Sequence, residues 1–75
     1  MAKLPTLSGK EVLKALSKDG FVIARQKGSH IILKKKLSNG EINVVVPNHA
    51  EIDKGTLLEI IRQAKMNRDK FTSLL

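Results

Sequence analysis

The sequence predicts an α+β fold with the element order α-β-β-β-α and a short further helix at the C-terminal end. Two observations support this order. Capping signals predict that one helix starts at Ser8 and another at Asp53. Between them lie three apolar, β-branched runs joined by short turns that contain glycine. We therefore expect a three-stranded antiparallel sheet with the helices packed on one face.

The first helix follows a short lead segment, Met1 to Thr6. Ser8 is the expected N-cap, and Glu11 stands three residues later, where its carboxylate can reach back to the N-cap N–H as in a capping box. Gly20 is expected to end the helix in a left-handed conformation. The apolar residues recur at helical spacing and predict the buried stripe: Val12, Leu13, Ala15 and Leu16.

Three strands are predicted between this helix and the next. They are Phe21–Gln26, His30–Lys36 and Glu41–Val46, and Pro47 ends the last one because proline has no N–H for a ladder. Asn39-Gly40 is a strong hairpin signal, since both residues tolerate positive φ.

The hairpin predicts which residues share a face. With Asn39 and Gly40 as the loop, His30 lies opposite His49 if pairing continues past the proline. The helices are then expected to cover Ile31, Leu33, Leu37, Ile42, Val44 and Val46. The other face carries His30, Ile32, Lys34, Lys36, Asn43 and Val45, together with His49 if pairing continues past the proline.

The turn between the first two strands has two interpretations. A two-residue loop places Phe21 and Ile23 beside His30 on the open face, whereas a three-residue loop with left-handed Gly28 returns both to the core. We favour the three-residue loop, because burying a phenylalanine is worth roughly 1.5–3 kcal/mol.

Asp53 is expected to cap a second helix over Lys54–Met66. Asn67 is expected to cap a final short turn. Spacing predicts that the second helix turns Leu57, Leu58, Ile61 and Ala64 inward. The final short turn carries Phe71, Leu74 and Leu75.

Composition limits the function classes. The 75 residues form one small domain, residues 1–75, and lack cysteine, so thiolate catalysis and Cys-based zinc sites are excluded. With only two histidines we expect no metal site and no cofactor. No apolar run precedes Pro5 and no helix is both basic and bulky-apolar, so we expect a cytoplasmic protein without a membrane partner.

The charge of the chain favours an acidic partner. Its net charge is +7 and its pI is about 10.1. The middle third, from Gly20 to Pro47, contains five cations and one acid. The only aromatic residues are Phe21 and Phe71, which favours recognition of a nucleic-acid backbone over stacking on bases.

Arg25 to His30 is the best candidate for a site of chemistry. A histidine side chain exchanges protons near neutral pH, and here it follows a glycine turn among cations that suit a phosphodiester. Gly28 and Ser29 are either turn residues or amide donors to phosphate, and both interpretations stay open. Lys34 lies further along the strand. Lys54 is either neutralised by neighbouring acids or, with its helix N-terminus, holds a phosphate.

The order and spacing of these segments resemble the HicA toxins, the YcfA-like mRNA interferases. The resemblance covers roughly residues 6 to 66 and extends to the tail. Its segments are Ser8-Gly9-Lys10-Glu11, Gly20-Phe21, Arg25-Gln26-Lys27-Gly28-Ser29-His30, Asn39-Gly40, Val46-Pro47 with His49, and Lys54-Gly55-Thr56-Leu57.

The resemblance implies a double-stranded-RNA-binding-domain-like fold and the toxin of a type II toxin–antitoxin system. It implies metal-independent endoribonuclease activity on mRNA, with the family's catalytic histidine at His30, and neutralisation by a HicB-type antitoxin that covers the active face. We expect Arg25, Lys27, Gly28, Ser29, Lys34 and Lys54 to bind RNA. The alternatives are a non-catalytic RNA-binding module that uses the same basic face, and a domain whose charge serves only an acidic protein partner. For His49, either an idle loop position or a part in catalysis remains open.

Overall fold

The structure is a computed structural model that describes residues 4–75, and its elements follow the predicted order. Residues 1–3 of the predicted lead segment lie outside the described residues. The α+β prediction is confirmed. The elements are α1 (Gly9–Lys18), β1 (Val22–Lys27), β2 (His30–Leu37), β3 (Gly40–Pro47), α2 (Lys54–Gln63) and α3 (Arg68–Ser73).

The three helices of residues 4–75 begin at the predicted caps. The Ser8 hydroxyl accepts from the Glu11 N–H at 3.2 Å, and a Glu11 carboxylate oxygen accepts from the Ser8 N–H at 2.9 Å. Asp53 accepts from the N–H of Thr56 at 3.0 Å and from its hydroxyl at 2.7 Å. Asn67 accepts from the N–H three residues on, at 2.8 Å. Each cap satisfies an N–H that the helix itself leaves without a partner.

The second helix is shorter than predicted. It ends at Gln63, because Lys65 adopts a left-handed conformation with φ 61° that a right-handed helix excludes. The Met66 N–H then donates to the carbonyl of Ile61 at 3.3 Å, which closes the helix end.

The sheet is antiparallel in the order β1-β2-β3, so β1 and β3 form its two edges. Helix α2 covers part of the β3 edge, where the Val45 N–H donates to Oε1 of Gln63 at 3.0 Å. Nothing among residues 4–75 pairs with the outer side of β1.

The core lies between one face of the sheet and the helices, as predicted. On that face Ile31, Leu33, Val44 and Val46 are 4% exposed or less, whereas Leu37 is 45% exposed beyond the reach of the helices. Leu13 and Leu58 are only partly buried, and Ile60 is a core residue that the spacing argument missed. The remaining core residues are Leu7, Val12, Ala15, Leu16, Phe21, Ile52, Leu57, Ile61, Ala64 and Phe71.

The predicted register of the second hairpin is wrong by two residues. Leu37 lies opposite Gly40, so the loop is Ser38-Asn39 instead of Asn39-Gly40. His30 consequently lies opposite Pro47 and not opposite His49. A shift of two residues moves every pair but keeps each side chain on its face, and the predicted faces therefore stand.

The preferred form of the first turn is also wrong. Lys27 lies opposite His30, which leaves a two-residue loop, Gly28-Ser29, although Gly28 is left-handed as expected with φ 60°. Phe21 is nevertheless buried, because a β-bulge at Ala24 inserts one residue and returns the start of the strand to the helix side.

Candidate active site

His30 is the first residue of β2 and lies at one end of the sheet face that the helices leave uncovered, called here the open face. The open face comprises the side chains that alternate with the buried set, and every residue from 22 to 30 is exposed. An imidazole at this position is accessible to a ligand as large as a polynucleotide.

Two cations of the neighbouring strand share the face with this histidine. Lys27 is its direct partner across β1 and β2. Arg25 lies opposite Ile32, which makes it the diagonal neighbour of His30 at an expected Cα separation of about 7–8 Å. Neither cation forms a salt bridge with a carboxylate in the described part of the chain. Both charges are therefore available to an external anion.

Lys34 lies on the same face four residues further along β2. Its ammonium is 3.5 Å from the Glu41 carboxylate, and both side chains are more than 40% exposed. An exposed pair of this kind contributes at most about 1 kcal/mol, so a phosphate can replace the carboxylate at little cost.

The Gly28-Ser29 turn is held by hydrogen bonds on both sides. The Gln26 side-chain amide donates to the Gly28 carbonyl at 3.2 Å. The Asn48 N–H donates to the Ser29 carbonyl at 2.6 Å, which ties the turn to the loop that follows β3. These contacts fix the backbone immediately before the candidate histidine.

The loop Pro47–His49 is in turn held by the start of α1. The Gly9 N–H donates to the His49 carbonyl at 2.8 Å. A Cβ atom at Gly9 would lie 2.5 Å from the Pro47 carbonyl oxygen and 3.0 Å from the Asn48 Cα, so this close approach requires glycine. Sequence reasoning missed this contact; its only signal was a glycine just inside a helix, where alanine is intrinsically preferred.

Lys54 stands apart from the other predicted site residues. It begins α2 and lines a small cleft together with residues 4–6, Ile52 and Leu57, none of which belongs to the sheet. The neighbouring carboxylate of Asp53 is engaged in the helix cap and forms no salt bridge with Lys54 within residues 4–75.

Lys35 points to the helix side, although it belongs to the same basic run as Lys34. Its ammonium donates to Asp19 at 2.9 Å and lies 5.7 Å from the centre of the Phe21 ring. The hydrogen bond from Lys35, followed by its charge and that of Lys70 at 3.4 Å, lowers the pKa of the Asp19 carboxyl. One of the five central cations therefore serves the fold and not the open face.

Within residues 4–75 no cluster of three or more histidine, aspartate or glutamate side chains is arranged to hold a metal ion. In the same range no helix has both the length and the apolar character needed to cross a bilayer.

Comparison with known proteins identifies the family. A family model described as the HicA toxin of bacterial toxin–antitoxin systems matches residues 9–66 of the 75. The chain belongs to the HicA toxin family. A comparison with curated proteins found none that matches. The HicA match begins at the glycine that contacts the Pro47–His49 loop and includes the complete sheet, so all of the open face lies within it.

Proposed function

We propose that this chain is the toxin of a type II toxin–antitoxin pair and acts as a metal-independent endoribonuclease on mRNA, with His30 as general acid or base. The observation that supports the proposal most directly is the position of His30. In a chain of the HicA family, an exposed histidine lies directly opposite one free cation and diagonal to another.

The chemistry needs three groups around one phosphodiester. A base takes the proton of the 2′-hydroxyl as its oxygen attacks phosphorus, donors stabilise the added negative charge, and an acid protonates the 5′-oxygen as its bond to phosphorus breaks. The products are a 2′,3′-cyclic phosphate and a 5′-hydroxyl. We assign one proton transfer to His30.

The charged groups of the open face bind the RNA backbone in this proposal. Arg25 and Lys27 neutralise the reacting phosphate, and the amides of Gly28 and Ser29 are further donors. Lys34 contacts a neighbouring phosphate by exchanging its partner Glu41. We assign Lys54 a phosphate outside the sheet, at the start of α2.

The partner that neutralises the toxin in this proposal is a HicB-type antitoxin in the cytoplasm. We propose that it covers the open face, because that face is not covered by any helix of residues 4–75 and carries the candidate histidine. The basic charge of the face favours acidic side chains in the antitoxin.

The test is an RNA cleavage assay with EDTA present. Replacing His30 by alanine should reduce cleavage at least about 100-fold, the usual contribution of a positioned acid or base, while RNA affinity changes little. Asn43→Ala is the matched control, because Asn43 is exposed on the same face without an assigned role.

Two outcomes would contradict the proposal. RNA binding without cleavage by the wild-type chain would leave the non-catalytic RNA-binding module as the function. Cleavage that needs a divalent metal and persists in His30→Ala would exclude the assigned chemistry.

A further inference from the structure

We infer that His49 supplies the second imidazole of the site and performs the proton transfer that His30 does not. The inference rests on the proposed function, which requires both an acid and a base but names only one. His49 is the only other histidine in the chain, and histidine is the side chain best suited to transfer protons near neutral pH.

The register brings the two histidines together. His30 lies opposite Pro47, and the bond from the Asn48 N–H to the Ser29 carbonyl continues the pairing by one residue beyond the strand. The residues that directly precede the two histidines are thus hydrogen-bonded to each other, which brings His30 and His49 to the same end of the sheet. We infer from this backbone contact that both imidazoles reach oxygen atoms of one phosphodiester.

The loop that carries His49 is held in place although the residue is exposed. Its carbonyl accepts from the Gly9 N–H at 2.8 Å, and the preceding residue bonds to the turn before His30. The backbone packing at Gly9 leaves no space for even one methyl group. A proton donor or acceptor gains its effect from a fixed position, and these contacts supply it for an otherwise surface loop.

The other groups near the turn suit the role less well. Lys27 and Arg25 are cationic side chains and serve as electrostatic partners of the phosphate. Glu41 is on the same face but is paired with Lys34 near the far end of the sheet. His49 is thus the group whose chemistry and placement both fit the missing step.

The experiment uses the full chain and two RNA oligonucleotides. The first carries one bond that the wild-type chain cleaves, and the second has the 5′-oxygen of that bond replaced by sulfur. A 5′-thiolate leaves without a proton, so the sulfur substrate restores cleavage to a variant that lacks the acid but not to one that lacks the base. The variants are His30→Ala, His49→Ala and His49→Gln.

We expect each histidine variant to lose at least about 100-fold on the oxygen substrate. One of the two positions, and not the other, should recover to within about tenfold of wild type on the sulfur substrate. Asn48→Ala is the matched control, because it keeps the backbone N–H that bonds to Ser29, and it should cleave both substrates normally.

The outcomes separate this inference from the proposed function. If the wild-type chain cleaves neither substrate, the proposed function fails and the inference with it. If His30→Ala is inactive while both His49 variants cleave within threefold of wild type, His49 is idle and only the inference fails. The inference also fails if the His49 variants lose cleavage of the oxygen substrate but the sulfur substrate restores cleavage to the variants of both histidines or of neither. The two proton transfers would then not be divided between His30 and His49.

Discussion

Adjacent valines of β3 illustrate how differently the two faces of the sheet are used. Val44 is fully buried against the helices, whereas Val45 is 40% exposed on the open face. The same alternation separates Lys35, which bonds to Asp19, from Lys34, whose charge faces solvent beside Glu41. The side chains that stabilise the fold by burial thus lie on one face of the sheet, and the charged side chains available to a ligand lie on the other. Substitutions on the two faces should therefore affect different measurements.

The largest expected contrast in stability comes from those two valines. Val44→Ala should lower the free energy of unfolding by about 1.5–3 kcal/mol, because it removes fully buried methyl groups and leaves a cavity. Val45→Ala makes the same chemical change on the same strand and should cost less than about 1 kcal/mol. Urea unfolding measures both values. Equal losses would show that the open face is also part of the core.

Gly9→Ala tests the contact that links the helix layer to the candidate site. The added Cβ must displace backbone atoms of the Pro47–His49 loop, so we expect a loss of about 1–3 kcal/mol of stability together with slower RNA cleavage. Gly55→Ala is the control, because it lies in the first turn of α2, where the nearest atom to a Cβ is a side-chain oxygen at 3.3 Å. If Gly9→Ala is destabilised but cleaves RNA normally, the position of the Pro47–His49 loop does not affect cleavage.

Asp19 provides a pH-dependent test of the helix side. Its pKa in the folded chain is lowered below the ordinary 3.8, first of all by the hydrogen bond from Lys35. The carboxylate therefore stabilises the fold above about pH 4, and this contribution is lost as the pH falls through the lowered pKa. Asp19→Asn should cost about 1–2 kcal/mol at pH 7, and its difference from wild type should shrink below pH 4.

Glu41→Gln is the matched control on the open face. Its pair with Lys34 is exposed, so the cost at pH 7 should stay below about 1 kcal/mol. Acid sensitivity that remains in Asp19→Asn is expected from Glu59, whose pKa is lowered to about 2, chiefly by the hydrogen bond from Arg62. A difference between Asp19→Asn and wild type that is constant from pH 7 to pH 3 would contradict the lowered pKa.

The smallest expected effects are on RNA affinity. Replacing Arg25 or Lys27 by glutamine should weaken binding a few-fold and reduce the slope of log affinity against log salt by about 0.7 per residue, because one phosphate contact is lost. Lys35→Gln removes the same charge from the helix side and should leave the slope unchanged. Filter binding over a range of salt concentrations measures the slopes. An equal reduction for Lys35 would mean that RNA does not distinguish the two faces.

Local signals in the sequence were sufficient for the element order, the caps and the two faces. Capping at Ser8, Asp53 and Asn67 depends on residues three positions apart, and such contacts form wherever the helix forms. The face assignment survived a wrong register because it depends only on whether a position is odd or even. The predicted position of His30 on the open face is therefore confirmed, although its predicted cross-strand partner, His49, is wrong.

The wrong or missing predictions concern features that are determined by contacts between residues distant in sequence. The bulge at Ala24 allows a two-residue turn to coexist with a buried Phe21, and its benefit comes from core packing and from Lys35 above the ring. The approach of Gly9 to the loop after Pro47 joins segments about forty residues apart. Neither contact has a local pattern that distinguishes it from an ordinary strand or helix start. The catalytic assignment itself comes from family resemblance and chemistry, and the assays above test it.

The side chain of Gln63 has a consequence for how copies of this chain can associate. It occupies one N–H donor on the outer side of β3, at Val45, whereas no strand of residues 4–75 pairs with the outer side of β1. A strand that pairs with β3 at Val45 must displace this side chain, whereas a strand that pairs with β1 displaces no other strand of residues 4–75.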